Sequence, residues 1–134
     1  MMLKIEHIGI AVRSLNEARP LYETLLGCKS YKTENVSSEN VITEFFKIGD
    51  SKIELLEASS TESAIAGFIE KRGEGVHHIA FAVENIVEEM ARLKAEGFKL
   101  LNEVPKKGAD NKLVCFIHPK SAHGVLIELC QEIK

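Results

Sequence analysis

The sequence predicts an α+β fold made of two copies of a strand–helix–three-strand (βαβββ) unit. We expect both to lie in one domain, residues 1–134, with a curved mixed or antiparallel sheet around a cleft. Two observations predict it. The segment that begins at His7 returns at His78, 71 positions later, and each copy ends on a strand in which a glutamate stands between apolar residues. A long period that occurs only twice indicates a duplicated supersecondary unit. The units span about 1–72 and 73–134.

The individual elements follow from local patterns. Segments rich in Ile and Val predict strands, and Ser14 and Asn85, each followed three residues later by a glutamate, mark helix N-termini. Pro20 lies inside the first helix and predicts a kink or a late start there. Beyond those helices we expect strands at about 3–12, 28–34, 40–48, 51–58, 76–83, 98–103, 112–117 and 123–131, a helix at about 62–71 and a turn-rich loop at 106–111.

Composition excludes several classes of function. A net charge of −3 without a basic stripe argues against nucleic acid, and no apolar stretch is long enough to cross a bilayer. The N-terminal residues have the pattern of a strand and not of a signal or transit peptide, so we expect a cytoplasmic protein. Cys28, Cys115 and Cys130 fit neither a zinc knuckle nor a redox pair. We expect three buried or half-buried thiols in a reducing compartment.

Four residues at matching places in the repeat suggest a metal site. In each unit a histidine opens the first strand and a glutamate lies in the last strand, which gives His7 with Glu54 and His78 with Glu128. Both glutamates are flanked by apolar residues, and a lone buried carboxylate costs several kcal/mol unless it is paired or bound to a metal. Two imidazoles and two carboxylates suit Zn²⁺, Co²⁺, Ni²⁺, Mn²⁺ or Fe²⁺.

Each of these residues also has a simpler interpretation. A single histidine at a strand end is usually structural, and a single glutamate in a strand usually faces solvent. The matched set of four favours the metal. Other candidates are weaker: His77 is expected to pack or to support the site from behind, and His118 or His123 could contact a substrate but has no counterpart in the repeat. Glu57 is expected to face solvent.

Several stretches carry a family resemblance that covers essentially the whole chain. The sequence resembles the vicinal oxygen chelate superfamily, whose members pair βαβββ units around a divalent ion, and within it the methylmalonyl-CoA epimerase family. The double histidine and the segment that begins His-Pro-Lys-Ser are the more specific parts. The stretches are 7–12 (HIGIAV), 53–57 (IELLE), 73–81 (GEGVHHIAF), 118–121 (HPKS) and 124–129 (GVLIEL).

The resemblance implies a site and a reaction. The family's metal ligands fall on His7, His78 and Glu128, and a further ligand that is Gln or Glu in different members falls on Glu54. Co²⁺ is the expected active ion, with Zn²⁺, Ni²⁺ and Mn²⁺ as alternatives. The implied reaction interconverts (R)- and (S)-methylmalonyl-CoA by removing and returning the C2 proton through a metal-stabilised enolate. A glyoxalase I-like lactoylglutathione lyase, with the same order of ligands, is the alternative.

Two glutamates are the expected bases of this reaction. One is Glu128. The other is Glu44, the only acid in the core of its strand, although a shift of one residue would turn Thr43 to the site instead. The implied substrate is an acyl-CoA thioester, and we expect a homodimer that binds neither nucleic acid nor membrane. The CoA phosphates could contact three loop lysines, which are Lys106, Lys107 and Lys120. A dioxygenase and a metal-free binding module are less favoured functions.

Overall fold

A computed structural model describes all 134 residues, which divide into two compact units. One unit contains residues 7–77, and the other combines residues 1–6 with residues 78–134. The elements follow the order βαβββ twice, with one additional helix between the copies, so the predicted α+β class and repeat are confirmed. None of the helices has both the length and the apolar character that crossing a membrane requires.

The chain forms eight strands and three α-helices. Short 3₁₀ turns at Ser37–Glu39, Ala109–Asn111 and Pro119–Ala122 lie between them. The elements are β1 (Met2–Ala11), α1 (Leu15–Leu26), β2 (Lys32–Val36), β3 (Val41–Ile48), β4 (Ser51–Ala58), α2 (Ala64–Arg72), β5 (Gly75–Val83), α3 (Ile86–Ala95), β6 (Lys106–Lys107), β7 (Lys112–Ile117) and β8 (Ile127–Glu132).

The unit of residues 7–77 is a mixed sheet with a helix on each face. Its strand order is β2-β3-β4-β1, in which β1 and β4 are parallel and the other neighbours are antiparallel. Leu15 of α1 packs on one face with Phe46 and Leu55, and Ile65 of α2 packs on the other face with Leu56. Because successive side chains of a strand alternate between faces, Leu55 lies in the core under α1 and its neighbour Leu56 lies in the core under α2.

The unit of residues 1–6 and 78–134 repeats this arrangement with one helix. Its order is β5-β8-β7-β6, and again the first and last strands of the copy, β5 and β8, are parallel. Met90 of α3 packs with Ile117 and Leu129 on one face, and Val114 and Cys130 belong to a smaller cluster on the other. The strand residues that lie between these core residues therefore point to the face of the sheet away from α3.

The predicted helix starts are confirmed at the level of single hydrogen bonds. The Ser14 hydroxyl accepts from the backbone N–H of Glu17 at 3.3 Å, and the Asn85 side-chain oxygen accepts from that of Glu88 at 3.1 Å. These contacts satisfy donors at the helix ends that have no partner within the helix. Each unit thus starts its helix by the same mechanism.

A second acceptor at each helix start comes from the last strand of the unit. Glu57 of β4 accepts from the backbone N–H of Leu15, and Gln131 of β8 accepts from that of Ile86, both at 2.7 Å. The expectation that Glu57 simply faces solvent was therefore wrong. Its position three residues after Glu54 corresponds to that of Gln131 after Glu128, so the repeat includes residues that differ in charge but share a shape and an acceptor oxygen.

Several predicted boundaries were also wrong. The helix α1 begins at Leu15 and continues through Pro20, because the two acceptors described above secure its start and proline removes only one interior hydrogen bond. No strand forms at 98–103. That segment contributes a single bridge from Leu100 to Ile117, since Phe98 and Leu100 pack against the α3 core instead of pairing along a ladder.

The boundaries of three more strands differ. The predicted strand at 28–34 lies at Lys32–Val36, and part of the predicted loop at 106–111 forms the two-residue strand β6. The last strand begins at Ile127 and not at 123, because His123 adopts a left-handed conformation (φ 54°) after the 3₁₀ turn. Left-handed backbone cannot continue a strand.

The buried carboxylate of Glu89 predicts how stability depends on pH. Arg92 donates two hydrogen bonds to Glu89, at 2.9 and 3.2 Å, and the amino group of Met1 donates a third. These contacts, Arg92 foremost, lower the pKa of Glu89 to about 2. A lowered pKa stabilises the fold above the ordinary carboxyl range, and this contribution is lost as pH falls towards 2. We expect Glu89→Gln to lower the free energy of unfolding at pH 7, and the deficit to shrink between about pH 4.5 and 2.

Denaturant titrations at pH 7, 4.5 and 3 measure this effect. The exposed neighbour Glu88 provides the control, and Glu88→Gln should leave the free energy of unfolding nearly unchanged at each pH. A deficit of Glu89→Gln that is the same at all three pH values would contradict the assignment.

Candidate metal centre

The unit of residues 7–77 contains a buried histidine–glutamate pair. The strands β1 and β4 run parallel, with Gly9 opposite Glu54 and His7 two residues earlier on the same face. The His7 Nδ1 lies 3.0 Å from the Glu54 Oε2, and each residue is only 5% exposed. Glycine at position 9 carries no side chain between them, so the imidazole and the carboxylate meet directly.

The other unit contains an equivalent pair. The strands β5 and β8 are parallel, with Ala80 opposite Glu128 and His78 two residues before Ala80. The His78 Nε2 lies 3.2 Å from the Glu128 Oε1, and each residue is 6% exposed. Here a small alanine takes the place that Gly9 occupies in the other pair. The repeat seen in the sequence thus produces the same chemical pair twice.

The separation within each pair is compatible with two ligands of one ion. Two ligand atoms about 2.0–2.1 Å from one ion, at tetrahedral to octahedral angles, are separated by about 2.9–3.4 Å. The observed separations of 3.0 and 3.2 Å fall in this range. Imidazole nitrogen and carboxylate oxygen are also the donors that divalent first-row ions accept. The donor set and its spacing therefore fit a divalent ion.

Strand alternation explains why these carboxylates are buried without joining the apolar cores. Leu55 and Leu129 follow the two glutamates and point to the opposite faces, where they pack under α1 and α3. A one-residue shift in either strand would bury a leucine at the pair and a carboxylate under the helix. The apolar cores thus fix the direction in which Glu54 and Glu128 point.

Glu44 lies away from the His7–Glu54 pair. In the antiparallel pairing of β3 with β4, Phe45 is opposite Glu54, whereas Glu44 is opposite Leu55. Glu44 therefore shares the face that packs under α1. It is buried there and accepts hydrogen bonds from Arg19 at 2.8 Å, from Thr33 at 3.1 Å and from Ser30.

The surroundings of Glu44 suit a structural carboxylate and not a base. Desolvation raises its pKa, but the hydrogen bonds from Arg19, Ser30 and Thr33 outweigh this effect, so the pKa of Glu44 is lowered. A base for C2 needs a pKa moved towards neutrality. The residue on the same face as Glu54 is the alternative, Thr43, whose neutral hydroxyl is far too weak a base to take the C2 proton. The position of Glu44 therefore does not support the hypothesis that it is the second base.

Two of the three remaining histidines, His77 and His118, have structural contacts. The ring of His77 meets the ring of Phe68 edge-on at 5.1 Å, which supports packing. The His118 Nδ1 accepts from the backbone N–H of Lys120 at 3.0 Å and so caps a 3₁₀ turn, and His123 is exposed. The roles of Lys106, Lys107 and Lys120 in binding phosphate stay predictions.

Three residues near the pairs were missed at the level of the sequence. Lys52 lies two residues before Glu54 on the same face and is almost fully buried, although a strand lysine normally indicates solvent. Phe45 and Phe116 stand directly opposite Glu54 and Glu128 in the neighbouring strands. A phenylalanine in a strand is expected in the core, so only the register assigns these two rings to the glutamates.

Comparisons with known proteins agree with this architecture. A family model described as the Glyoxalase/Bleomycin resistance protein/Dioxygenase superfamily matches residues 6–116, and the chain belongs to this superfamily. The ethylmalonyl-CoA/methylmalonyl-CoA epimerase of Cereibacter sphaeroides is 38% identical over 98% of this chain and 99% of its own length. The human mitochondrial methylmalonyl-CoA epimerase is 37% identical over 96% of this chain and 73% of its own.

A solved structure extends the comparison to three dimensions. A variant of the Streptomyces coelicolor methylmalonyl-CoA epimerase, in complex with 2-nitronate-propionyl-CoA, has a TM-score of 0.95 at 33% identity and covers 98% of this chain and 96% of its own. Within the superfamily, the chain therefore belongs to the methylmalonyl-CoA epimerase family, as the sequence predicted.

Replacing Glu44 tests whether it is structural. Glu44→Gln keeps the shape of the side chain but leaves the Arg19 guanidinium without its charged partner. We expect the free energy of unfolding to fall by about 1–3 kcal/mol, while the affinity for Co²⁺ stays within about twofold of that of the parent, because the change lies on the other face of the sheet. Denaturant titration and calorimetric metal titration measure the two quantities. Loss of Co²⁺ affinity with unchanged stability would contradict a purely structural role of Glu44.

Proposed function

We propose that this protein is a divalent-metal-dependent methylmalonyl-CoA epimerase. The observation that carries the proposal is the occurrence of one buried histidine–glutamate pair in each unit, in a chain that aligns with such epimerases over nearly all of its length. The carboxylates and imidazoles suit proton transfer next to a stabilised negative charge.

In this proposal His7, Glu54, His78 and Glu128 are the ligands of one ion, and Co²⁺ is the ion expected to support activity. One pair alone supplies two ligands, whereas protein sites for Zn²⁺ and similar ions have three or four. The pairs are equivalent in sequence position, strand pairing and donor type, as two halves of one coordination sphere would be. Zn²⁺, Ni²⁺ and Mn²⁺ are the alternative ions.

Proton transfer at C2 requires that negative charge be stabilised. A bound divalent ion supplies Lewis-acid stabilisation of the charge that develops on the thioester and carboxylate oxygens of the substrate. Glu128 is the proposed base that takes the C2 proton on one face. It is buried, with the His78 Nε2 at 3.2 Å and Phe116 opposite it in the neighbouring strand. The proposal assigns no residue to the return of the proton on the other face, because Glu44 lies on the face under α1.

The ligand of the Streptomyces coelicolor relative supports this chemistry. That epimerase binds 2-nitronate-propionyl-CoA, whose nitronate is a planar anion at C2 and so resembles an enolate in shape and charge. A glyoxalase I-like lyase remains the alternative, because it would use the same donor types. No contact of this chain favours it, and the similar proteins described above are epimerases.

Two further expectations belong to this proposal. The protein is expected to act as a homodimer on an acyl-CoA thioester and to work in the cytoplasm. The association state can be measured by sedimentation equilibrium at micromolar concentration.

Metal removal provides the first test. Protein treated with EDTA should not exchange the C2 proton of methylmalonyl-CoA for deuterium in D₂O, and adding Co²⁺ should restore exchange, because the enolate charge is then stabilised. Proton NMR follows the C2 signal and the methyl splitting. A protein that fails to exchange with any of the four ions is not an epimerase, and the hemithioacetal of glutathione would then be the substrate to assay.

The two glutamates should respond differently to the same substitution. Glu128→Gln removes the proposed base and should reduce C2 exchange by about 10²–10⁴-fold in the metal-loaded protein. Glu54→Gln keeps a ligand oxygen at a position that resembles one occupied by glutamine in some family members, so exchange should fall by less than about tenfold. Metal content measured on each variant separates loss of the base from loss of the ion. Equal losses in both variants would contradict the assignment of the base to Glu128.

A further inference from the structure

A phenylalanine and a lysine accompany the His7–Glu54 pair. Phe45 of β3 stands directly opposite Glu54 and is fully buried, and Lys32 of β2 stands directly opposite Phe45. The Lys32 amine lies 4.9 Å from the centre of the Phe45 ring, within the range of a cation–π contact. It also pairs with Glu34 at 3.3 Å. Carboxylate, ring and ammonium thus lie on one face, across three neighbouring strands.

The same three groups accompany the His78–Glu128 pair. Phe116 of β7 stands directly opposite Glu128, and its ring meets the edge of the His78 ring at 5.9 Å. The Lys106 amine lies 5.9 Å from the centre of the Phe116 ring. Lys106 belongs to β6 and pairs with Val114, two residues from Phe116 on the same face, so its side chain reaches along the strand to the ring.

The sequence repeat explains the two phenylalanines, which are 71 positions apart like His7 and His78, but it does not explain the two lysines. The lysines are 74 positions apart, and they occupy different register positions opposite their rings. Each nonetheless places its amine over the ring that faces a proposed ligand carboxylate. Because the two lysines reach equivalent rings from different strand positions, the lysine–ring contact reflects a requirement of the site and not of the strand pairing.

We propose that Lys32 and Lys106 are positioning residues that direct the free carboxylate of the acyl group towards the metal centre. The proposal rests on the epimerase function above. Two strand spacings separate each lysine from the glutamate of its unit, which is about 10 Å. The malonyl carboxylate is attached to the reacting carbon, so it lies within this range when C2 is at the metal centre. The CoA phosphates lie at the far end of the pantetheine arm.

The rings make each lysine effective. A phenylalanine between the glutamate and the lysine separates the two charges, and an ammonium over a ring is held without the desolvation that a salt bridge to the ligand carboxylate would impose. The Lys32 side chain is 38% exposed, so its ammonium can meet a carboxylate that arrives from solvent. The lysines therefore select acyl-CoA esters that carry a carboxylate on the acyl group over those that do not.

The test compares substrates with and without that carboxylate on the Co²⁺-loaded protein. Lys32→Met and Lys106→Met keep the apolar stem and remove the charge. Each should lower kcat/KM for methylmalonyl-CoA by about tenfold or more, as expected for loss of a charge-assisted hydrogen bond. Each should weaken binding of methylmalonyl-CoA while leaving the affinity for propionyl-CoA, which lacks the carboxylate, unchanged.

A matched control lies close by in the sequence. Lys29 is exposed and pairs with Glu23, so Lys29→Met should behave like the parent. Lys32→Arg and Lys106→Arg should recover part of the binding difference between the two ligands. Thermal unfolding confirms that every variant is folded.

The possible outcomes separate the two proposals. Equal weakening of methylmalonyl-CoA and propionyl-CoA would show that the lysines contact the CoA portion, and it would overturn the inference. Unchanged binding and kinetics in both Lys→Met variants, with C2 exchange intact in the parent, would overturn the inference alone. Absence of C2 exchange in the parent would overturn the proposed function, and the inference with it.

Discussion

The parallel pairing of the first and last strands of each unit is the constraint on which the site depends. It places β1 beside β4 and β5 beside β8, with Gly9 and Ala80 opposite the two glutamates. Small residues there leave room for a histidine two positions away to reach the carboxylate, at 3.0 Å in one unit and 3.2 Å in the other. Both carboxylates are buried, and their cost in free energy is offset only by a close positive or polar partner. Each pair therefore requires parallel strands, a small residue opposite the glutamate and a partner for the buried carboxylate.

Three glutamates of two adjacent strands show how strand register assigns different chemistry to one residue type. Glu54 meets an imidazole, Glu44 meets a guanidinium under α1, and Glu57 accepts from a backbone N–H at the start of α1. The first pairs with an imidazole, and this donor set suits a divalent ion. The second is committed to three donors and has a lowered pKa. The third caps the start of α1. Proton transfer in the proposed reaction depends on keeping these environments separate.

Duplication gives the chain two similar halves, but the halves need not remain similar in every residue. Gln131 does for α3 what Glu57 does for α1, and Lys106 reaches its ring from a different register position than Lys32. Both units keep an acceptor at the start of the helix and a lysine amine at the ring, although the residues that provide them differ. This persistence at the edges of both histidine–glutamate pairs is the reason for assigning the surrounding rings and lysines to the handling of substrate. It also suits an enzyme whose substrate carries negative charge at the reacting end.

The sequence by itself determined the repeat, the α+β class, the starts of α1 and α3 and the four proposed ligands, because each depends on local spacing or on residue types that recur at matching positions. Only the tertiary structure decided the rest. Strand register turned Glu44 towards Arg19, and it set Phe45 and Phe116 opposite the glutamates. A shift of one residue exchanges the two faces of a strand without changing its composition. Which face a side chain occupies is fixed by packing against helices and neighbouring strands, and this information is distributed over residues far apart in the chain.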